Sequence, residues 1–233
     1  MKKLAVVTRA DENIKDITDI THPIIKKYAD FCNAEFITNV TTTYELPHPH
    51  YRILGLQALL EEYDRILLID SDIFITRECP NIFDIVPTTH VGTIFEDKGS
   101  RQDHRRSLIK AVQDKREDVG WREGYINTGV FVISKEHKII FDEIDIDSLW
   151  LDFGFDDVEL GYQINKLNIP IHELSFKFNH MSMFSEEVLG NNSRFDSYCI
   201  HFAGNGHIPF LPKYEQIKRD FILLKRHNML FGA

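Results

Sequence analysis

The sequence predicts an α/β fold, and three observations point there. A length of 233 residues with 43% hydrophobic side chains is enough for one sizeable core and leaves little room for a second full domain. The first 38 residues read as strand, helix, strand. Residues 65–70 then form an apolar strand of the kind buried on both faces of a parallel sheet. Taken in order, residues 4–8 are a short apolar, β-branched run read as the opening strand, followed by a polar loop over 9–21. Pro23 stands at a favoured first-turn position, and Ile24, Ile25, Tyr28 and Phe31 recur behind it at helical spacing. Residues 34–38 supply the second strand. The Pro47 and Pro49 pair breaks the chain before an amphipathic helix marked by Ile53, Leu56, Leu59, Leu60 and Tyr63.

Residues 96–124 are strongly charged and lack an apolar period until 108–112, which predicts a surface excursion with a short helix bordering a site. A buried strand follows at 125–134, and an amphipathic helix at 155–167 ends before Pro170. Residues 199–204 make a last strand running into a glycine-containing loop, and 214–229 close the chain as a helix. The chain has no internal repeat, low-complexity segment or Gly/Ser/Pro linker.

With 27 basic against 36 acidic side chains the net charge is −9, which argues against sequence-independent nucleic-acid binding. Cys32, Cys79 and Cys199 are an odd set without CxxC spacing, and read as buried free thiols of a reducing cytosol. The Lys2-Lys3 start mimics a signal peptide, but Arg9, Asp11 and Glu12 cut its apolar run short. No stretch approaches the roughly 20 residues that span a bilayer. A soluble, cytoplasmic protein is expected, unless an anchor has been removed. Triplets starting at Asn39 and Asn191 fit the N-glycosylation pattern and read as chance matches.

The chemistry concentrates at Asp70-Ser71-Asp72, where an apolar strand delivers two carboxylates to its C-terminal end, the place where open α/β sheets bind ligands. Spaced by two, their side chains leave an extended chain on the same side and can converge on one cation. Hard oxygen ligands suit Mg²⁺ or Mn²⁺, ions that bridge carboxylates and substrate phosphates. His201, at a strand end beside Gly204 and Gly206, adds an imidazole that Mn²⁺ accepts; alone it reads as a core histidine, beside the two aspartates as a third ligand. His207 is either a diphosphate donor or a solvated side chain. Asn127, Thr128 and Gly129 open a strand with an amide for sugar hydroxyls and a glycine that lets a ligand near the backbone. Trp121 and Tyr125 fit either sugar stacking or packing. The neighbouring acids Asp156 and Asp157 raise each other's cost of ionisation, so one can stay protonated until a substrate or cation arrives.

Asp70-Ser71-Asp72, the strand from Tyr125 through Asn127-Thr128-Gly129, the Asp156-Asp157 pair and the His201 to Gly204 segment occur in an order that resembles the GT-A glycosyltransferases, particularly the glycogenin and galactosyltransferase-like group. The likeness runs from about residue 4 to 209. It implies a single GT-A, Rossmann-like domain over 1–233 with a mixed, mostly parallel central sheet flanked by helices. Within it, 1–95 would be the nucleotide-binding half carrying the Asp-x-Asp pair, 96–212 the acceptor-side half, and 213–233 a C-terminal helix. It further implies transfer of a hexose from a nucleotide-diphosphate sugar, most simply a UDP-sugar, to a saccharide or glycoconjugate. By matching position Asp70, Asp72 and His201 would bind Mn²⁺ (or Mg²⁺). Thr8, Arg9, Ala10, Arg52, Ser71, Asn127, Thr128, Gly129, Gly204, Gly206 and His207, together with the two metal aspartates, would contact the donor. Asp156 and Asp157 would be catalytic, with inversion and retention both open. The chain departs from the family's usual Lys-Pro-Trp after the His-x-x-Gly segment, where His207, Ile208, Pro209 and Phe210 stand.

Three rival readings compete with this one. A haloacid-dehalogenase-type phosphatase also has a strand ending in Asp-x-Asp, but near its N-terminus. A sugar-nucleotide nucleotidyltransferase would need a basic, glycine-rich loop after the first strand. A non-catalytic sugar-nucleotide-binding module would bind donor without turnover. The basic residues Lys213, Lys218, Arg219, Lys225 and Arg226 allow either a peripheral membrane contact or a solvated helix face.

Overall fold

A computed structural model of the chain describes residues 2–38, 40, 45–190 and 192–232. Asn39, Thr41 and Asn191 of the two glycosylation-pattern triplets lie outside these described residues. Strand β1 (Leu4–Val7) leads into helix α1 (Lys15–Phe31) and strand β2 (Ala34–Ile37). A 3₁₀ segment, Pro49–Gly55, runs into α2 (Leu56–Glu62), then β3 (Arg65–Ile69) and β4 (Ile73–Ile75). Short α3 (Ile82–Ile85), β5 (Val91–Phe95), α4 (Gln102–Lys115) and β6 (Ile126–Ser134) follow. The chain then forms α5 (Ile139–Asp142), α6 (Phe155–Lys166), β7 (Ile171–Glu173), α7 (Ser182–Val188), β8 (Cys199–His201) and α8 (Lys213–Arg226).

Among the described residues, six strands form one sheet in the order β2-β1-β3-β6-β5-β7. β1 runs parallel to β2 and to β3, β5 runs parallel to β7, and β6 is antiparallel to both its neighbours. The sheet is thus mixed and mostly parallel, with helices on its faces. β3 is wholly buried because Ile66 and Leu68 point into one apolar layer and Leu67 and Ile69 into the other. This explains its unbroken apolar sequence: both faces of this central strand of the mixed sheet are covered.

The largest departure from the sequence reading is the first helix. It starts at Lys15, so Pro23 lies inside it. Ile17 and Ile20 extend the apolar period of Ile24 and Tyr28 by two turns upstream, and their packing against the core outweighs the hydrogen bond that Pro23 removes. β4, β5 and β7, three to five residues long, carry too little pattern to stand out. The charged excursion contains a 14-residue helix, α4, and its first acids are not solvated. Glu96 and Asp97 are buried, Glu96 against Arg101 and Arg105, Asp97 against Arg106 and the backbone N–H groups of Gly124 and Tyr125. All three cysteines are free and buried.

Candidate active site

The second, two-stranded sheet builds the centre of the site. β4 follows directly on Asp72 and pairs antiparallel with β8, matching Ile73 to His201, and the Phe202 N–H donates to the Asp72 carbonyl at 3.0 Å. The three residues of β4 are fully buried, so apolar burial holds this pairing and with it the meeting of Asp72 and His201. Asp70 is fixed from the main sheet, where its N–H donates to the Gly129 carbonyl at 2.9 Å. His201 Nε2 lies 3.3 Å from Asp72 Oδ1 and 3.6 Å from Asp70 Oδ2. One ligand atom from each of the three residues falls within 4.8 Å of the others.

Two carboxylates and an imidazole are a donor set that suits Mn²⁺ or Mg²⁺. Gly129 leaves the space for it. A Cβ at that position would stand 2.7 Å from His201 Cε1 and 3.1 Å from Asp70 Oδ2. Burial opposes charge on Asp72, yet His201 and Lys213 beside it hold its carboxyl below the usual carboxylate range. Burial likewise opposes charge on His201, and the nearby Asp72 and Asp70 raise its pKa in spite of it.

Around this corner lies a cavity of about 280 Å³ lined in part by Arg9, Asp11, His50, Arg52, Ser71 and Lys213. Arg9, at the end of β1, reaches across it: one guanidinium nitrogen donates to Asp70 Oδ1 at 2.7 Å, the other to Asp156 and to the His50 carbonyl. Arg52 pairs with Asp11 at 3.1 Å on the cavity rim. Lys213, the first residue of α8, pairs with Asp72 Oδ2 at 2.7 Å. That member of the basic tail is therefore turned into the site and not toward a surface partner. Thr8 donates to the Thr38 carbonyl at 2.5 Å, Ser71 Oγ meets His22 Nε2 at 3.3 Å, and Ala10 is buried next to Arg9 in sequence. These contacts hold the loop after β1 against the Asp70-Ser71-Asp72 corner, since Thr21 also donates to the Ser71 carbonyl at 2.6 Å. Gly204 and Gly206 adopt φ values of 58° and 79°, a turn that brings the His207 N–H onto Gln216 Oε1 at 2.7 Å. Burial pushes the His207 imidazole down to about 3, so it is neutral.

Asp156 and Asp157 enter from the first turn of α6, where the helix dipole favours negative charge. The two acids differ. Asp156, 1% exposed, accepts from Arg9, from Thr128 Oγ1 at 2.8 Å and contacts His50 Nδ1 at 3.0 Å. Burial works against its charge, but Arg9 and His50 bring its pKa down to about 2. Asp157 accepts the Thr128 N–H at 2.8 Å and pairs with no cation among the described residues; burial, with Asp156 and Glu96 nearby, pushes its pKa well above the usual carboxylate range. Asn127 does not offer its amide freely. Its Oδ1 accepts from Gly129 N and Asn179 Nδ2, and its Nδ2 donates to Glu96. Trp121 and Tyr125, 2% and 0% exposed, pack between α4 and α6, which rules out sugar stacking by them in this arrangement.

His50, Lys213, Glu96 and Asn179 belong to the site as well, and sequence reasoning misses them in that role. His50 carries a signal in its place two residues before Arg52, and Lys213 in its place after Pro212; Asn179 carries none.

A model of the family described as Glycosyl transferase family 8 matches residues 2–138. None of the curated proteins matches the chain. Among solved structures, a glycosyltransferase involved in glycosylation of the major capsid of PBCV-1 is similar at a TM-score of 0.59 and 14% identity, covering 93% of this chain and 99% of that one. The galactosyltransferase LgtC, in complex with donor and acceptor sugar analogs, is similar at a TM-score of 0.58 and 13% identity, covering 98% and 97%. The bifunctional WbbM in its apo form is similar at 0.60 and 13%, covering 94% of this chain and 50% of that one. Likenesses at this identity concern the fold, and the fold they share is that of glycosyltransferases.

Proposed function

From the premise that this chain belongs to glycosyl transferase family 8 and is a glycosyltransferase, we propose that it transfers a hexose from a UDP-sugar to a saccharide or glycoconjugate hydroxyl with the help of a divalent ion, Mn²⁺ before Mg²⁺. The observation that carries this reading is the convergence of Asp70, Asp72 and His201 at the C-terminal end of β3, in a cavity that also contains Arg52 and Lys213. The donor and acceptor sugar analogs bound by LgtC, which shares the fold, support the substrate class.

In such a transfer the bond from the anomeric carbon to the diphosphate oxygen breaks, a bond to the acceptor oxygen forms, and the acceptor's proton needs a base. The ion, when bound, supplies Lewis-acid stabilisation of charge on the departing diphosphate. Asp70, Asp72 and the imidazole of His201 would hold it. Lys213 and Arg52 offer cations for the remaining phosphate oxygens. Arg9 keeps Asp70 and Asp156 at a fixed separation, and we assign Asp156 to positioning because its hydrogen-bonding capacity is already used by Arg9, Thr128 and His50. Asp157, which accepts the Thr128 N–H and pairs with no cation among the described residues, is the less committed of the two acids and the better one to exchange the acceptor's proton. The segment from Thr8 to Ala10 and the glycine turn at 204–206 are assigned to the donor's edges, with Ser71, Thr128, Gly129 and His207 lining its approach.

The test is a panel of nucleotide sugars with Mn²⁺, following nucleotide release with and without chelator. UDP release that a chelator abolishes, and that the double change Asp70→Asn with Asp72→Asn also abolishes, is expected. Turnover that survives both would defeat the proposal.

A further inference from the structure

Behind the imidazole runs a line of side-chain hydrogen bonds whose polarity is settled by one backbone group. The Gly129 N–H can only donate, so the Asn127 atom it meets at 2.9 Å is the oxygen. Asn127 Nδ2 therefore faces Glu96 Oε1, at 2.7 Å, a carboxylate that can only accept when ionised and that is held by Arg101 and Arg105. The Asn179 atom lying 2.6 Å from Asn127 Oδ1 must then be the amide nitrogen. That leaves Asn179 Oδ1 toward His201 Nδ1, at 2.7 Å, and an oxygen there requires the proton to sit on Nδ1. The other ring nitrogen, Nε2, is the one that faces Asp72 and Asp70.

Asn179 is 0% exposed, lies outside the cavity lining, and its side chain hydrogen-bonds to Asn127 and His201. Its place is fixed by the backbone: the His180 N–H donates to the Cys199 carbonyl and the His201 N–H to the His180 carbonyl, both at 2.9 Å, so the segment carrying Asn179 lies alongside β8. A buried amide with both ends engaged, one on an imidazole and one on a second amide, is an arrangement that sets a tautomer and a ring orientation.

We propose that Asn179 is a positioning residue of the cation corner: it holds the His201 proton on Nδ1 and so presents the Nε2 lone pair to the space between Asp70 and Asp72. The inference rests on reading that corner as a divalent-cation site, and through Glu96 it ties the corner to α4, an element far from it in sequence.

The experiment is Mn²⁺ binding to the full chain without nucleotide or sugar, read from the loss of the free-ion electron paramagnetic resonance signal. Asn179→Ala should weaken Mn²⁺ binding by about tenfold to a hundredfold, the usual effect of removing an outer partner of a ligating histidine. Asn179→Leu, which fills similar space but offers no acceptor to Nδ1–H, should weaken binding as the Ala variant does, whereas a general packing role would leave it close to the parent and overturn the proposal. The Ala variant binding Mn²⁺ as tightly as the parent overturns the role of Asn179. Failure of the parent itself to bind Mn²⁺ overturns the cation-site reading on which it rests. Should the Ala variant not fold, proton–nitrogen spectra of the parent loaded with diamagnetic Zn²⁺, with the His201 signals assigned by His201→Gln, decide the point. A ring proton on Nδ1 supports the proposal, and one on Nε2 overturns it.

Discussion

Arg9 and Asp157 pull the site's stability in opposite directions, and each can be read by substitution. Arg9 bridges Asp70 and the almost fully buried Asp156, so Arg9→Ala leaves a buried carboxylate short of its cation. Breaking a buried pair from one side costs about 3–5 kcal/mol, and Arg9→Lys should recover only part of that because an ammonium cannot span two carboxylates as a planar guanidinium does. The pH dependence has a definite sign. Asp156 has a pKa of about 2 when folded against 3.8 ordinarily, so its contribution is present above about pH 4 and is lost as the pH falls toward 2. Chemical denaturation of the parent and the Ala variant should show their gap narrowing over that window; a constant gap would sink the assignment. Asp157 is the reverse case. Its folded pKa is raised, so stability from this site is full below about pH 4 and falls as the pH rises toward the folded value, by up to about 1.4 kcal/mol per pH unit. Asp157→Asn should therefore melt higher than the parent at pH 7 and equally near pH 3.5, while its turnover falls about a hundredfold or more if it exchanges the acceptor's proton. Equal melting temperatures at both pH values would contradict the buried, uncompensated charge. At this scale the meeting of Asp70, Asp72 and His201 was legible because carboxylates spaced by two at a strand end leave the chain on the same side. Asn179 was not, because a lone asparagine acquires its meaning only from what the fold puts beside it.

The elements that deliver these residues are short, and their geometry is set by a few crowded points. Gly154 caps α6 with φ at 91°, and a Cβ there would fall 2.2 Å from Tyr125 Oη and 2.7 Å from Val158 Cγ2. Gly154→Ala should cost about 1–3 kcal/mol through strain and overpacking together, and should reduce activity further by tilting the turn that carries Asp156 and Asp157. Gly190→Ala is the matched control: its φ of 71° is comparable, but nothing lies within 4 Å of the added carbon. Thermal melts and initial rates of the two variants separate strain from displacement. If both lose activity alike, the crowding at α6 is not what places the acids. The strands and helices of this layout were readable wherever period and length coincided, as in β3, β6 and α6. The start of α1 was not, because a proline at residue 23 is a strong local start signal that the apolar face of Ile17 and Ile20 overrides. β4 escaped definition for another reason: it is three residues long and exists because β8, which the sequence does place within 199–204, pairs with it.

For the whole molecule the question is how a protein of net charge −9 would receive the doubly charged diphosphate of the proposed donor. The answer lies in local charge: Arg9, Arg52 and Lys213 face one cavity, and a divalent ion between Asp70, Asp72 and His201 would turn the corner from anionic to cationic. Lys213 couples the last helix to this centre, so the C-terminal element is part of the site and not an appendage. The consequence is that ion and nucleotide should bind together and stabilise the entire fold by mass action. A ligand present at a hundred times its dissociation constant adds about 2.7 kcal/mol, which for a chain of this size raises the melting temperature by about 5–10 °C. Mn²⁺ with UDP should therefore produce a shift of that order, while either alone gives clearly less, since without the ion Lys213 and Arg9 stay committed to Asp72 and Asp70 and the diphosphate meets a corner with no cation to spare for it. Lys213→Ala should reduce the combined shift without abolishing the response to Mn²⁺ alone, because it removes a cation from the phosphate side and leaves the three ligands in place. A shift given by UDP in the presence of chelator, equal to that with Mn²⁺, would mean that the nucleotide binds elsewhere and that the corner has another use.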